Sequence, residues 1–166
     1  MGPGASANLY YEIIKIAQTT YGAVEDTDFP PMFIYNLPLF GFDETGFADP
    51  TLVKKQLIQG VKKLEEAGSD FVIIACNTVH YFYEDMQKAI GIPIISIIEE
   101  TAKTIQKSGA KTVGLLSSAS TRNLGIYGNA LEKYGVKTLT VHNTEQKKID
   151  NIILRAMGGR AGDADK

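Results

Sequence analysis

Apolar positions along the chain alternate between two periods. Leu9, Tyr10, Ile13, Ile14 and Ala17 recur at the spacing of one helix face. The run Met32 to Asn36 (MFIYN) that follows reads as a short strand ending in a proline-containing loop. Asp49 and Pro50 supply an N-cap and a first-turn proline, Val53, Leu57, Val61 and Leu64 form one stripe, and Gly68 stops that helix. Phe71 to Ala75 (FVIIA) then predicts a buried strand. A helix from Tyr81 to Ala89, a strand Ile92 to Ile95, a helix Glu99 to Lys107 and a strand Thr112 to Leu116 come next. Leu124, Tyr127, Leu131 and Tyr134 mark a further helix closed by Gly135. A strand Val136 to Val141 and a last helix through Ile149, Ile152, Ile153 and Ala156 complete the pattern.

Strands alternate with helices, and the strands are apolar without strict period-two alternation. That combination predicts an α/β fold of parallel strands covered by helices. The polar, glycine-containing joint Lys107 to Lys111 separates two such series, so a domain boundary is expected within residues 97–110, giving domains 1–100 and 101–166. Residues 1–4 read as a glycine-rich loop opening a helix, a loop that ordinarily follows a strand. With the polar tail GGRAGDADK, this reading expects a chain lacking a first strand and a C-terminal portion; a flexible start and a disordered tail would look the same.

Composition narrows the function. The 166 residues are 44% hydrophobic, enough for a real core, and 17 Lys and Arg against 19 Asp and Glu leave a net charge of −2. With no basic stripe, nucleic acid is excluded as a partner, and small-molecule chemistry is favoured. No apolar run reaches the length of about 18 that a membrane span needs, and the N-terminus lacks a signal-peptide pattern. The single cysteine cannot form an internal disulfide, which fits a reducing, cytoplasmic setting and directs attention to its chemistry. No metal-spaced Cys/His set and no nucleotide loop is present, so neither metal nor cofactor is expected.

The chemistry concentrates at Ala75-Cys76-Asn77-Thr78-Val79-His80, where a buried strand ends and a helix begins. Ligands of parallel sheets sit outside the carboxyl ends of strands. Asn77 or Thr78 can cap the following helix, whose amino end favours carboxylates and the thiolate form of Cys76. Cys76 can equally be a small buried hydrophobe. A Cys76/His80 nucleophile pair is a further reading, although no nucleophile-elbow motif accompanies it. His142 reads as a surface residue.

The sextet ACNTVH, the opening MGPGASANLYYEII, the strand and loop IYNLP, the stretch IPIISIIEETAK and the later VGLLSSASTRNLGIY, in this order, resemble the aspartate/glutamate racemase family. The resemblance implies two similar α/β domains facing a cleft, catalysis without pyridoxal phosphate or metal, and a homodimer. It also implies two cysteines on opposite faces of an amino acid's α-carbon. Cys76 matches the first; the family's second lies farther toward the C-terminus than this sequence runs. Met1 and Gly2 match the family's glycine turn at the cleft, and Asn36 a cleft asparagine, though it is equally a turn former before Pro38. Asn77 and Thr78 would hold the α-carboxylate, joined by Thr121 and Ser118 from the loop after VGLL, which is otherwise an ordinary capped loop.

Inverting a stereocentre by proton exchange needs a base on one face and an acid on the other. Donors must stabilise the charge that develops as the α-proton leaves. Members specific for acidic substrates often carry an arginine after the IYN strand; here that loop, LPLFGFDETGF, has no cation, which leaves the side-chain preference open. A one-thiol relative such as a decarboxylase, and a non-catalytic binding remnant, are the competing readings.

Overall fold

The computed structural model describes residues 2–43 and 45–160. The first helix, α1 (Pro3–Tyr21), starts with proline in its first turn, where the missing N–H costs nothing, and ends at Gly22, whose φ of 72° is the left-handed conformation that glycine adopts freely. Helix α2 (Pro50–Glu66) begins as the sequence predicts: the Asp49 carboxylate accepts from the Leu52 N–H at 2.9 Å, a cap that contributes about 1 kcal/mol. It buries Val53, Leu57 and Val61.

Two parallel pairs follow. Strand β3 (Val72–Ile73) pairs with β4 (Ile94–Ile95), and β5 (Thr112–Leu115) with β6 (Lys137–Thr140). The Gln87 side chain holds β4 in place, donating to the Ile92 carbonyl and accepting from the Ile94 N–H. A 3-10 helix (Thr78–Phe82) and α3 (Tyr83–Gln87) connect β3 to β4. Helix α4 (Ile97–Lys107), capped by Ser96, leads into β5. Helices α5 (Ala119–Asn123) and α6 (Ile126–Glu132) cross to β6, and α7 (Asn143–Met157) follows it. The result is a mixed α/β fold with parallel sheets.

Two differences from the sequence expectation have identifiable causes. Residues 32–36 form no regular element and pair with no strand among the described residues. They stand against α2 instead, because Gly60 lets Leu37 and Tyr35 close on the helix; a Cβ there would lie 3.3 Å from Leu37 Cδ2. The Lys63 ammonium donates to the Tyr35 hydroxyl at 3.2 Å, and Phe33 and Ile34 remain exposed. Within the loop read as irregular, β1 (Phe42–Asp43) and β2 (Gly46–Phe47) form an antiparallel hairpin. The Asp43 carboxylate accepts from both the N–H and hydroxyl of Thr45. Phe47 then meets the Phe42 and Phe82 rings at 5.2 and 5.0 Å.

The buried apolar side chains form two clusters. One gathers Leu37, Val53, Leu57, Val72, Val79 and Met86 with their neighbours around β3 and β4. The other is built from Ile98, Ala102, Ala130, Leu131 and Val136 around α4, α6 and β6.

Candidate active site

The Cys76 N–H donates to the Ile74 carbonyl at 2.9 Å, so the chain turns sharply as β3 ends and lifts the thiol out of the strand. Cys76 is half-buried, packed on one side against the first core cluster, and on the other it lines a cavity of about 930 Å³. That volume lies at the upper end of small-molecule sites and exceeds what an amino acid fills. Residues 113–118, along and beyond β5, line another side of it, and residues 2–5 at the start of α1 a third.

Two helical amino ends therefore border one space, those of α1 and the 3-10 helix, while at α5 the Ala119 N–H is already taken by the Asp150 carboxylate at 2.9 Å and the Thr121 N–H by Ser118 Oγ. Their first N–H groups lack carbonyl partners within the helix and carry positive partial charge, which favours an anionic ligand. Gly2 caps α1 with ordinary backbone angles, and a Cβ placed on Gly2 or Gly4 would meet nothing within 4 Å, so the cavity edge is open there. The expected side-chain cap of the helix after Cys76 does not form; Asn77 stands at the cap position with its amide free of that bond.

The hydroxyl groups of this space form a chain. Thr78 and Thr121 are both buried, and their Oγ1 atoms lie 2.7 Å apart although 43 positions separate them in sequence. Ser118 Oγ accepts from the Thr121 N–H at 3.3 Å and donates to Thr121 Oγ1 at 3.2 Å. Either threonine hydroxyl can donate in the Thr78–Thr121 bond, so the three side chains form one connected hydroxyl chain across the two halves of the sequence. Leaving either threonine unpaired in this buried position would cost about 1–3 kcal/mol. A second cross-link joins Tyr127 Oη to Asn77 Oδ1 at 2.7 Å.

A family model described as Asp/Glu/Hydantoin racemase matches residues 1–165. The chain belongs to this family. It is 33% identical over 157 residues to a broad specificity amino-acid racemase of Bacillus subtilis, covering 95% of this chain and 67% of that one. A glutamate racemase of Aquifex pyrophilus is 34% identical over 74 residues, 43% of this chain and 29% of that protein. Among solved structures, an aspartate racemase homologue from Pyrococcus horikoshii superposes with a TM-score of 0.75 at 28% identity, over 94% of this chain and 68% of the other. Picrophilus torridus aspartate racemase gives 0.74 at 26%, over 95% and 64%. The family's chemistry makes the chain an isomerase.

Of the residues that the sequence singled out, Cys76, Gly2, Asn77, Thr78, Ser118 and Thr121 line this cavity together. Asn36 is exposed and is not among its lining residues. Met1 lies outside the described residues. Two polar lining residues were not legible in the sequence: Thr101, on α4, and Tyr127, which periodicity places simply on a helix stripe. No group of three or more His, Cys, Asp or Glu that could hold a metal ion occurs among the described residues, and none of their helices is long and apolar enough to cross a membrane.

His80 does not take the place of a base beside the thiol. Its ring is buried, and Nδ1 lies 2.8 Å from the Cys76 carbonyl, so Nδ1 carries the proton and donates it there. Nε2 is buried with no hydrogen-bond partner among the described residues. Burial pushes the imidazole below its ordinary range, opposed in part by hydrogen bonding to the backbone of Cys76 and Asn77. A histidine with a depressed folded pKa gives stability that is complete above its unfolded value of about 6.5 and is lost as pH falls toward the folded value. The chain is thus expected to melt at a lower temperature at pH 5.5 than at pH 7.5, with a smaller difference in His80→Gln. Equal pH slopes in the two proteins, followed by circular dichroism, would remove His80 from this role.

Proposed function

We propose that this chain carries the Cys76 half of a cofactor-independent amino-acid racemase site. In this reading the two apolar clusters are the cores of two domains that meet at the start of α4, where Ile98 already packs in the second cluster, and the cavity is the cleft between them. The observation that carries it is the placement of one thiol, the amino ends of α1 and the 3-10 helix, and the Ser118–Thr121–Thr78 hydroxyl chain around a single space. An amino acid sits with its α-carboxylate on Asn77 and Thr78 near Gly2, with Ser118 and Thr121 backing Thr78 through the hydroxyl chain, and its α-carbon against Cys76.

Cys76 as thiolate removes the α-proton, and as thiol it returns one to the same face. The fixed hydroxyls and backbone dipoles hold the charge that spreads into the carboxylate while the proton is away. Inversion requires a second acid on the far face.

The described cavity lining contains hydroxyl, amide, thiol and aliphatic groups and no Lys or Arg. A second substrate carboxylate would therefore find no cation there, and the reading extends to neutral amino acids, in keeping with the breadth named for the Bacillus subtilis relative. In heavy water, α-deuteration of leucine or methionine is expected within about tenfold of aspartate, since apolar contacts discriminate only weakly. Turnover of aspartate alone would contradict the breadth; deuteration of no amino acid would contradict the function.

A further inference from the structure

Tyr127 stands on α6, in the second half of the chain, yet its hydroxyl reaches Asn77, 50 positions upstream and next to the thiol. An asparagine amide has two ends of opposite character. Turned one way it offers two N–H donors to an anion; turned the other it offers a carbonyl oxygen that repels a carboxylate. Asn77 has no side-chain capping bond to choose between them. The phenol does choose: it donates to Oδ1 at 2.7 Å, which leaves the two Nδ2 protons as the donors free for a ligand. Burial raises the phenol above its ordinary range, countered in part by the Thr101 hydroxyl, so it remains a neutral donor wherever such an enzyme works. Tyr127 and Asn77 both line the cavity that holds Cys76.

We infer that Tyr127 is a positioning residue that locks the Asn77 amide with its N–H groups available to the carboxylate of the bound amino acid. This rests on the amino-acid reading of the cavity, which it deepens by assigning the orientation of one donor and the residue that enforces it.

A double-mutant cycle over Tyr127→Phe and Asn77→Ala tests it, with L-glutamate and L-leucine as probes. Binding is followed by heteronuclear NMR of the full chain, in which the Asn77 side-chain amide signal is identified by its loss in Asn77→Ala, and chemistry by α-deuteration in heavy water. Tyr127→Phe is expected to weaken binding and slow deuteration by about tenfold, the weight of one hydrogen bond, with thermal midpoint and ring packing retained. In the Asn77→Ala background the same change should have no further effect, because Tyr127 acts only through that amide. A Tyr127→Phe protein that binds and exchanges like the parent, or effects of the two changes that simply add, would overturn the inference. Failure of the broader reading looks different: the parent protein binds the probes and shifts the Asn77 amide signal but deuterates neither, and the binding arm of the cycle still decides the role of Tyr127.

Discussion

Replacing Cys76 by serine is expected to lower α-proton exchange by about 10²–10⁴-fold, the range over which one positioned acid/base contributes, while leaving the fold in place. The hydroxyl is nearly the same size as the thiol, but at neutral pH it holds its proton far too tightly to act as the base. Cys76 is only half-buried and its backbone turn is set by main-chain bonds, so the substitution leaves no large cavity in the core. The measurement is α-deuteration of an enantiopure amino acid in heavy water beside a thermal melt of each protein. A serine variant that exchanged at the parent's rate would remove Cys76 from the chemistry. One that lost exchange together with its melting transition would show only that the site had come apart.

The second large effect concerns stereochemistry. A protein made of these 166 residues carries one cysteine, and one thiol serves one face of the α-carbon. Such a protein is expected to exchange the α-proton with solvent and retain configuration, so that deuterium enters while optical purity holds. Deuteration by NMR and enantiomer ratio by chiral chromatography, taken on the same samples, separate the two events. Inversion at a rate matching exchange would require an opposite-face acid among these residues. His80, with its proton committed to the Cys76 carbonyl, is poorly placed to be that acid.

What the sequence made legible was the part governed by local rules. The cap at Asp49, the stripe Val53-Leu57-Val61 and the strand-end placement of Cys76 all follow from spacing within a few residues, and the structure retains them. The misreadings arose where distant partners decide. Residues 32–36 have a strand's composition, but a strand needs a neighbour to share its hydrogen bonds, and Gly60 on α2 offered Tyr35 and Leu37 a different surface. The hairpin at 42–47 depends on Phe47 finding the Phe82 ring, 35 positions later. Tyr127 could not be singled out for the same reason, since nothing within its own helix signals that its hydroxyl meets Asn77.

The Ser118–Thr121–Thr78 chain bears on the tempo of catalysis as well as on affinity. Hydroxyl rotors facing water would have to be frozen each time a substrate arrived, and that ordering would weigh on every turnover. Here the three hydroxyls already hold one another in place, with the two threonines buried. The entropy of aligning them is therefore spent once, when the chain folds, and an arriving carboxylate meets dipoles that need not move.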